Sequence, residues 1–471
     1  VTKLQLYLGI AMITKEQKEA INKRLREAGI TKIGQVFNLI NSVNQGHAEE
    51  QAVWALIDEL IEQQIQARKP PLVMQSSPRP YTVKGGKIIT SNAIADMNYV
   101  MSNPYVIGGA LMPDAHRVFE NAMPVGGVVV TDPDWIYPSF VGGDISCSLL
   151  LTTFPTITVD EDWNQDMINQ FVYLLRQYTY FGRAMNPSQG QFHQSGLVEA
   201  VPTVTSPTGR DVLKAVMGSA PTDFATSGDG NHFVEFGYVE EGKTRHLAIL
   251  SHFGSRYVGA VIAKEFEKYA LEQWECPKGT YDAPLNVNTP EGADYVALME
   301  WAGMFAEYSH RQVHKNLMYA MYERGYRGLD VQKQVFSRHN FAWLTDFGWV
   351  HRKGATPTPN GELAIIPATM GDRTQVVLGL GNPESFESAS HGAGRVYSRG
   401  QALQQFKGDT AQYVLANYDV TLIGGGADEH PLAYKKIGEV MKYQADCVTP
   451  VAEFIPKVVR MADPRFGYGK R

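Results

Sequence analysis

Cysteine is scarce: 471 residues hold three, Cys147, Cys276 and Cys447, and no two share a CxxC spacing. That excludes a disulfide framework and a thiolate-only structural zinc site as the means of holding the chain together. Long apolar runs are missing as well. No stretch approaches the roughly 18 uninterrupted apolar residues that a membrane span needs. Positive charge is not in excess either, since 43 Lys and Arg stand against 49 Asp and Glu, for a formal net charge of −6. A protein that coats nucleic acid nonspecifically relies on such an excess, so any nucleic-acid binding here has to use a local patch. The first residues, Val1 to Tyr7, carry an apolar run without a basic leader or a small-residue cleavage site, which predicts a cytoplasmic protein.

What is present is a globular composition, with 44% hydrophobic and 20% charged residues, in a chain long enough for two to three domains. Lys15 to Ala28 and His47 to Arg68 space their apolar residues at three and four, with breaks near Gly29 and Asn44, and predict a helical prefix over residues 1–70. Lys69-Pro70-Pro71 and Ser76-Ser77-Pro78-Arg79-Pro80 then mark a connector, so the main domain is placed at 71–471. Within it, residues 161–179, 256–273 and 293–325 read as helices, and 233–238 with 245–251 as a strand pair around Glu240-Glu241-Gly242. Regular strand–helix alternation is absent. The expected class is α+β with mixed or antiparallel sheets.

Four polar clusters, far apart in sequence, set a His, Asp or Cys among Gly, Ser and Asn: Gly143-Asp144-Ile145-Ser146-Cys147, Gly228-Asp229-Gly230-Asn231-His232, Ser251-His252-Phe253-Gly254-Ser255-Arg256 and Ser390-His391-Gly392-Ala393-Gly394-Arg395. Loops of this composition hold a side chain at a site while the backbone approaches a ligand. Asp144 and Cys147 reach one centre if the chain between them turns, and a hairpin brings His232 and His252 to one end of a sheet. Carboxylate, thiolate and imidazoles suit manganese, zinc or iron. Cys147 reads equally well as a small buried hydrophobe. His310 and His314 lie one helical turn apart, but Arg311 stands where a zinc protease carries Glu, so the pair is read as structural. His391 is followed by small residues whose amides can cradle phosphate and by a guanidinium, which makes it the nucleophile candidate. His351-Arg352-Lys353, extended by Arg256, Arg395 and Arg399, is read as solvated surface or, near the other clusters, as an RNA-phosphate patch.

The clusters occur in the order and wording of the RtcB-type tRNA-splicing ligases, and the chain resembles that family from about residue 80 onward. Met112-Pro113-Asp114-Ala115-His116, Pro124-Val125-Gly126-Gly127-Val128, Asn231-His232-Phe233-Val234-Glu235, Ile366-Pro367-Ala368-Thr369-Met370-Gly371 and the His391 cluster carry the resemblance, as an ordered set. It implies the family's own ligase fold and GTP-dependent sealing of an RNA 2′,3′-cyclic phosphate or 3′-phosphate to a 5′-hydroxyl. It also implies two manganese ions, one on Asp144, Cys147 and His232 and one on Cys147, His252 and His339. His391 is the implied guanylylated residue, with Arg256 and Asp114 as further catalytic positions. Guanylate contacts carry over to Asn231, His232, Phe233, Val234 and Glu235, to His339 and Asn340, and to Pro367, Ala368, Thr369, Met370 and Thr374. His391, Gly392, Ala393, Gly394, Tyr434 and Lys470 complete that set. RNA and an archease-like activator are the implied macromolecular partners.

The chain departs from the family at informative places. Ser146 and Ser148 flank Cys147 where Gly is usual, and a positive φ there costs each Ser on the order of 1–2 kcal/mol. Phe253 replaces a small polar residue beside His252, Pro357 stands where Arg is common, and the segment Arg117 to Met123 replaces a shorter Gly-containing one. Two other readings keep the same residues: an enzyme that guanylylates or hydrolyses RNA ends, and a catalytically idle RNA-binding relative.

Overall fold

A computed structural model of the chain describes residues 12–31, 33–66, 69–182, 189–329 and 333–463. It divides into two units, Val1–Pro71 with Gln273–Glu275, and Leu72–Glu272 with Cys276–Arg471. Among its described residues the first holds three helices, α1 (Lys15–Glu27), α2 (Gly34–Asn44) and α3 (Glu50–Gln66). Thr14 starts α1 with a reciprocal capping box, its hydroxyl accepting from Gln17 N–H while the Gln17 side chain accepts from Thr14 N–H. The stripes Ile21 and Leu25, Val36, Ile40 and Val43, and Val53 and Ile57 meet in a core belonging to this unit.

The second unit is built on two large sheets, beside two short two-stranded ones among the described residues. The larger contains β1 (Ser148–Thr158), β2 (Phe233–Glu241), β3 (Thr244–Phe253), β4 (Lys333–Arg338), β5 (Leu363–Ile366), β6 (Thr374–Gly379) and β7 (Val448–Met461). Their order is β5-β6-β7-β2-β3-β1-β4 with every neighbour antiparallel, and Thr421–Ile423 pairs parallel to β7. The smaller sheet carries Val106–His116, Val125–Thr131, Gly348–Lys353 and Asn340–Thr345 in antiparallel sequence, with Thr82–Val83 parallel at one edge. The class is therefore α+β, as the missing βαβ alternation predicts.

The helix expected at 293–325 runs Pro290–Glu323, capped by Thr289, whose hydroxyl accepts from Gly292 N–H. It buries residues on all sides, Leu298, Trp301, Phe305, Val313 and Leu317 among them, and packs against β1 and β3. Among the described residues no helix is long and apolar enough to cross a membrane.

The basic run His351-Arg352-Lys353 departs from both of its sequence readings. Residues 348–353 form a strand with neighbours on both sides, so its side chains turn inward. His351 is fully buried and its Nε2 accepts from Tyr137 N–H at 3.0 Å. Arg352 donates to Ser388 Oγ and Phe386 O, each at 2.8 Å, and its guanidinium lies 4.8 Å from the centre of the Trp343 ring. Neither side chain is solvated, and neither is free to meet a phosphate.

Burial pushes the His351 imidazole down to about 4 and the His314 imidazole to about 3. Both are neutral in the folded chain and regain an ordinary affinity for protons, near pH 6.5, on unfolding. The unfolded state therefore binds more protons below about pH 6.5, and stability falls as the pH drops toward 4. Each histidine is expected to cost on the order of 2 kcal/mol at pH 5 relative to pH 7. Urea titrations across that range measure it, and His351→Gln should flatten the slope.

Candidate metal centre and nucleotide site

Cys147 closes the loop that enters β1. Its N–H donates to Asp144 O at 3.1 Å, so the chain turns and both side chains point to one centre. Ser146 adopts a left-handed conformation, φ 62°, inside this turn, and its N–H donates to Asn340 O at 2.7 Å. Asn340 braces the loop from the other side: Nδ2 donates to Asp144 O at 3.2 Å, and Oδ1 accepts from Gly354 N–H at 2.7 Å. His339 N–H donates to Cys147 O at 2.9 Å. The β2–β3 hairpin sets Phe233 opposite His252, which brings His232 to the same end of the sheet.

These elements converge their donor atoms. Cys147 Sγ lies 3.5 Å from His232 Nε2 and 3.3 Å from His252 Nε2. His232 Nε2 is 3.1 Å from Asp144 Oδ2, and the Nε2 atoms of His252 and His339 are 3.3 Å apart. Two triads result, Asp144–Cys147–His232 and Cys147–His252–His339, with donor atoms within 4.8 Å of one another and the thiol common to both.

The protonation states suit cations. His232 Nδ1 lies 3.0 Å from Ser227 O and 3.1 Å from an Arg256 guanidinium nitrogen, while its Nε2 faces Asp144 and Cys147. Burial holds His252 and His339 well below the usual imidazole range, so both are neutral ligands. Burial opposes ionisation of Asp144, but the His232 hydrogen bond and charge and the Arg256 charge outweigh it and bring its carboxyl to about 2. Burial, and then Asp144, push the Cys147 thiol up. A crowd of lone pairs around a buried thiol is costly by itself, and a divalent ion in each triad reverses that cost. The residues present therefore fit metal, and a mixed oxygen, sulfur and nitrogen set admits manganese.

His391 stands beside this centre, its ring 5.0 Å from that of His339. Asp114, fully buried, accepts from His391 Nδ1–H at 2.6 Å and from His391 N–H at 3.2 Å. The loop after His391 presses on Asp114 so closely that a Cβ at Gly394, φ 71°, would fall 2.0 Å from Asp114 O, which requires glycine. Arg256 follows β3 with a positive φ of 62°, and its guanidinium lies 3.1 Å from His232 Nδ1. It passes over Gly228, where a Cβ would fall 1.7 Å from the guanidinium carbon.

The remaining positions named from the resemblance surround this core. Phe233 meets the His252 ring edge-on at 5.3 Å and joins a cluster with Met370 and Tyr418. Val234 and Glu235 are buried in β2, where burial pushes the Glu235 carboxyl up. Pro367, Ala368 and Thr369 lie on the β5–β6 loop against Gly392, where a Cβ would sit 3.1 Å from Pro367 O. Thr369 Oγ1 donates to Asp372 Oδ2 at 2.7 Å, Thr374 begins β6, and Ala393 is buried. Tyr434 O–H donates to Glu429 and accepts from Arg395 at 2.9 Å. Asn231 Oδ1 lies 3.4 Å from Arg399. Lys470 lies outside the described residues. The divergent loop at 117–123 is anchored through Arg117, whose guanidinium pairs with buried Asp96 at 2.6 and 2.7 Å, and it leaves Phe119 69% exposed.

Sequence reasoning missed Glu429, 3% exposed, which pairs with both Arg395 at 3.0 Å and Arg399 at 3.1 Å. The signal was available, because Gly424-Gly425-Gly426-Ala427-Asp428-Glu429 has the composition of the other clusters. It also missed Lys435, whose Nζ donates to Pro113 O and Ala115 O at 2.7 and 3.1 Å and so fixes the strand that carries Asp114.

A family model described as tRNA-splicing ligase RtcB matches residues 96–462, more than half of the chain. The chain belongs to the RtcB family. RNA-splicing ligase RtcB of Escherichia coli K12 is 32% identical over 236 residues, which cover 47% of this chain and 57% of that protein, so the matched segment spans little more than half of its length. RNA-splicing ligase RtcB2 of a second Escherichia coli strain is 27% identical over 400 residues, 78% of this chain and 91% of its own. tRNA-splicing ligase RtcB of Thermococcus kodakarensis is 26% identical over 425 residues, 74% and 86%.

The two serines beside Cys147 separate cleanly. Ser146 holds the left-handed conformation, whereas Ser148 is an ordinary strand residue whose hydroxyl donates to Ser146 O at 2.9 Å. Ser146→Gly is therefore expected to stabilise the chain by about 1 kcal/mol. Ser148→Gly is expected to destabilise it by about 1–2 kcal/mol, through the lost hydrogen bond and a glycine inside a strand. Denaturant melts of the two variants check the opposite signs.

Proposed function

We propose that this protein joins RNA ends through a guanylylated His391, sealing a 3′-phosphate, or a 2′,3′-cyclic phosphate first opened by water, to a 5′-hydroxyl. The observation that carries the reading is the His391–Asp114 pair beside two metal-competent triads that share one thiol. Asp114 accepts the Nδ1 proton, which leaves the Nε2 lone pair as the nucleophile. His391 Nε2 attacks the α-phosphorus of GTP, the bond to pyrophosphate breaks, and a nitrogen–phosphorus bond forms. The guanylate then passes to the RNA 3′-phosphate, and the 5′-hydroxyl displaces GMP as the new phosphodiester closes.

Asp144, Cys147 and His232 would hold one manganese and Cys147, His252 and His339 the other. When bound, such ions offset phosphate charge and polarise the bond to the leaving group. Buried Asp114 orients His391, as a buried carboxylate holds an imidazole in one tautomer. Arg256, Arg395 and Arg399 are the phosphate-facing cations of this reading. Phe233, Glu235 and the 367–370 loop are its guanine pocket, Glu235 offering a carboxyl to the donor edge of the base.

Labelled GTP with manganese is expected to leave an acid-labile, alkali-stable GMP adduct on His391. His391→Ala should abolish it, Cys147→Ala should lose the manganese of both triads, and Asp114→Asn should slow adduct formation on the order of 100-fold. An adduct that survives His391→Ala removes the reading. RNA ends that are guanylylated or trimmed but never joined favour an end-modifying enzyme instead.

A further inference from the structure

Behind the candidate metal centre, on the opposite face of the same strands, lies a buried polar chain that no step above uses. Side chains alternate along a strand, so Ser148 points away from Cys147, and Ser251 and Phe253 point away from His252. All three meet His310, on the long helix. His310 is fully buried, its ring stacks on Phe253 at 3.6 Å and 9°, and its Nε2 lies 3.0 Å from Phe253 O and 3.3 Å from Ser148 Oγ. Its Nδ1 is 2.6 Å from Ser251 Oγ, which is also 2.8 Å from His314 Nε2.

The proton positions follow from the one group that cannot donate. Phe253 O accepts, so His310 carries its proton on Nε2, and Nδ1 accepts from Ser251 Oγ–H. Ser251 Oγ then accepts from His314 Nε2–H, and His314 Nδ1 accepts from Thr152 Oγ1–H at 2.8 Å. Thr152 Oγ1 accepts from Gln334 Nε2 at 2.9 Å, and Gln334 Oε1 accepts from Arg311. The chain of donors runs in one direction from Gln334 to His310, which ties β1, β3 and β4 to the helix in a single register. Such fully satisfied buried networks are rigid.

We propose that His310 is a positioning residue for the metal centre, holding the back of the two strands whose fronts carry Cys147 and His252. This rests on the reading of those two residues as ligands. Ser148 and Phe253 face each other across β1 and β3, and both touch His310. The three side chains thus form one packed unit behind the ligands.

Manganese titration of the full chain, followed by the signal of the free ion, tests this alongside alkylation of Cys147 in the metal-free protein, mapped by peptide. His310→Leu is expected to weaken manganese binding 10- to 100-fold, the usual effect of removing a group behind a ligand, and to speed Cys147 alkylation severalfold. His310→Asn, which keeps an acceptor toward Ser251, should recover part of both. A pure packing role would lower the melting temperature and leave affinity and alkylation of the folded protein at wild-type values, and that result overturns the proposal. If His310→Leu does not fold, Ser251→Ala removes a single hydroxyl and carries the same expectation at about 10-fold. Wild-type protein that binds no manganese defeats the ligand reading instead, and the alkylation rates alone then decide the positioning claim, unchanged rates overturning it.

Discussion

The centre depends on a register constraint: β1 and β3 are buried on both faces, and a slip of one residue would exchange everything that each face carries. Leu149 pairs with His252, and Ser148 with Phe253. On one face that register delivers a thiol and an imidazole 3.3 Å apart, and on the other it delivers two hydroxyls and a phenyl ring to His310. Polar groups on a face that packs against a helix would ordinarily weaken a core. Here each finds a partner, so the penalty for misregister is the exposure of several unsatisfied groups at once. Specificity of register follows from polar satisfaction as much as from apolar burial.

Loops complete what the strands begin, and two of them carry strain at the centre. Ser146 and Arg256 both hold a positive φ, each within four residues of a candidate ligand. Neither has glycine's freedom, so the surroundings have to over-determine the conformation. They do, since Ser146 N–H is fixed by Asn340 O, and Arg256 is seated over a glycine that leaves room for its guanidinium. The residue that braces the Asp144–Cys147 turn, Asn340, adjoins His339, so ligand and brace arrive on one stretch of chain.

Much of this was legible in the sequence, for reasons that differ by element. The helix at Pro290–Glu323 and the first and third of the first unit showed themselves through sustained apolar spacing, and the β2–β3 hairpin through alternation around a tight turn. The clusters around Asp144, His232, His252 and His391 stood out by composition, because side chains set among Gly, Ser and Asn signal a backbone that bends near a site, whereas His339 was named only from the resemblance. Sheet order was not. β7, the last strand among the described residues, lies between β6 and β2, a pairing across more than two hundred residues that no local pattern encodes. The helix Pro207–Asp223 was hidden by its own Pro207, Gly209, Gly218 and Pro221, and tertiary packing overrode those poor propensities. His351 and Arg352 misled because a basic run says nothing of whether its strand is central or at an edge.

Charge is unevenly placed in this chain of net −6. Arg395 and Arg399 both pair with Glu429, which is almost wholly buried, so two guanidinium groups face a single carboxylate. The acid cannot neutralise both, and its burial keeps solvent ions from sharing the work. Arg256 adds a third cation across the Asn231–His232 loop, where its pairing with half-exposed Asp229 is long, at 3.8 Å. Glu429 thus acts as a clamp that holds two long side chains in fixed geometry, and Tyr434, Asp428 O and Tyr397 O fix Arg395 further. The placing of these arginines around buried and half-exposed acids is independent of the net charge of the chain. Composition alone could require such a patch but not locate it.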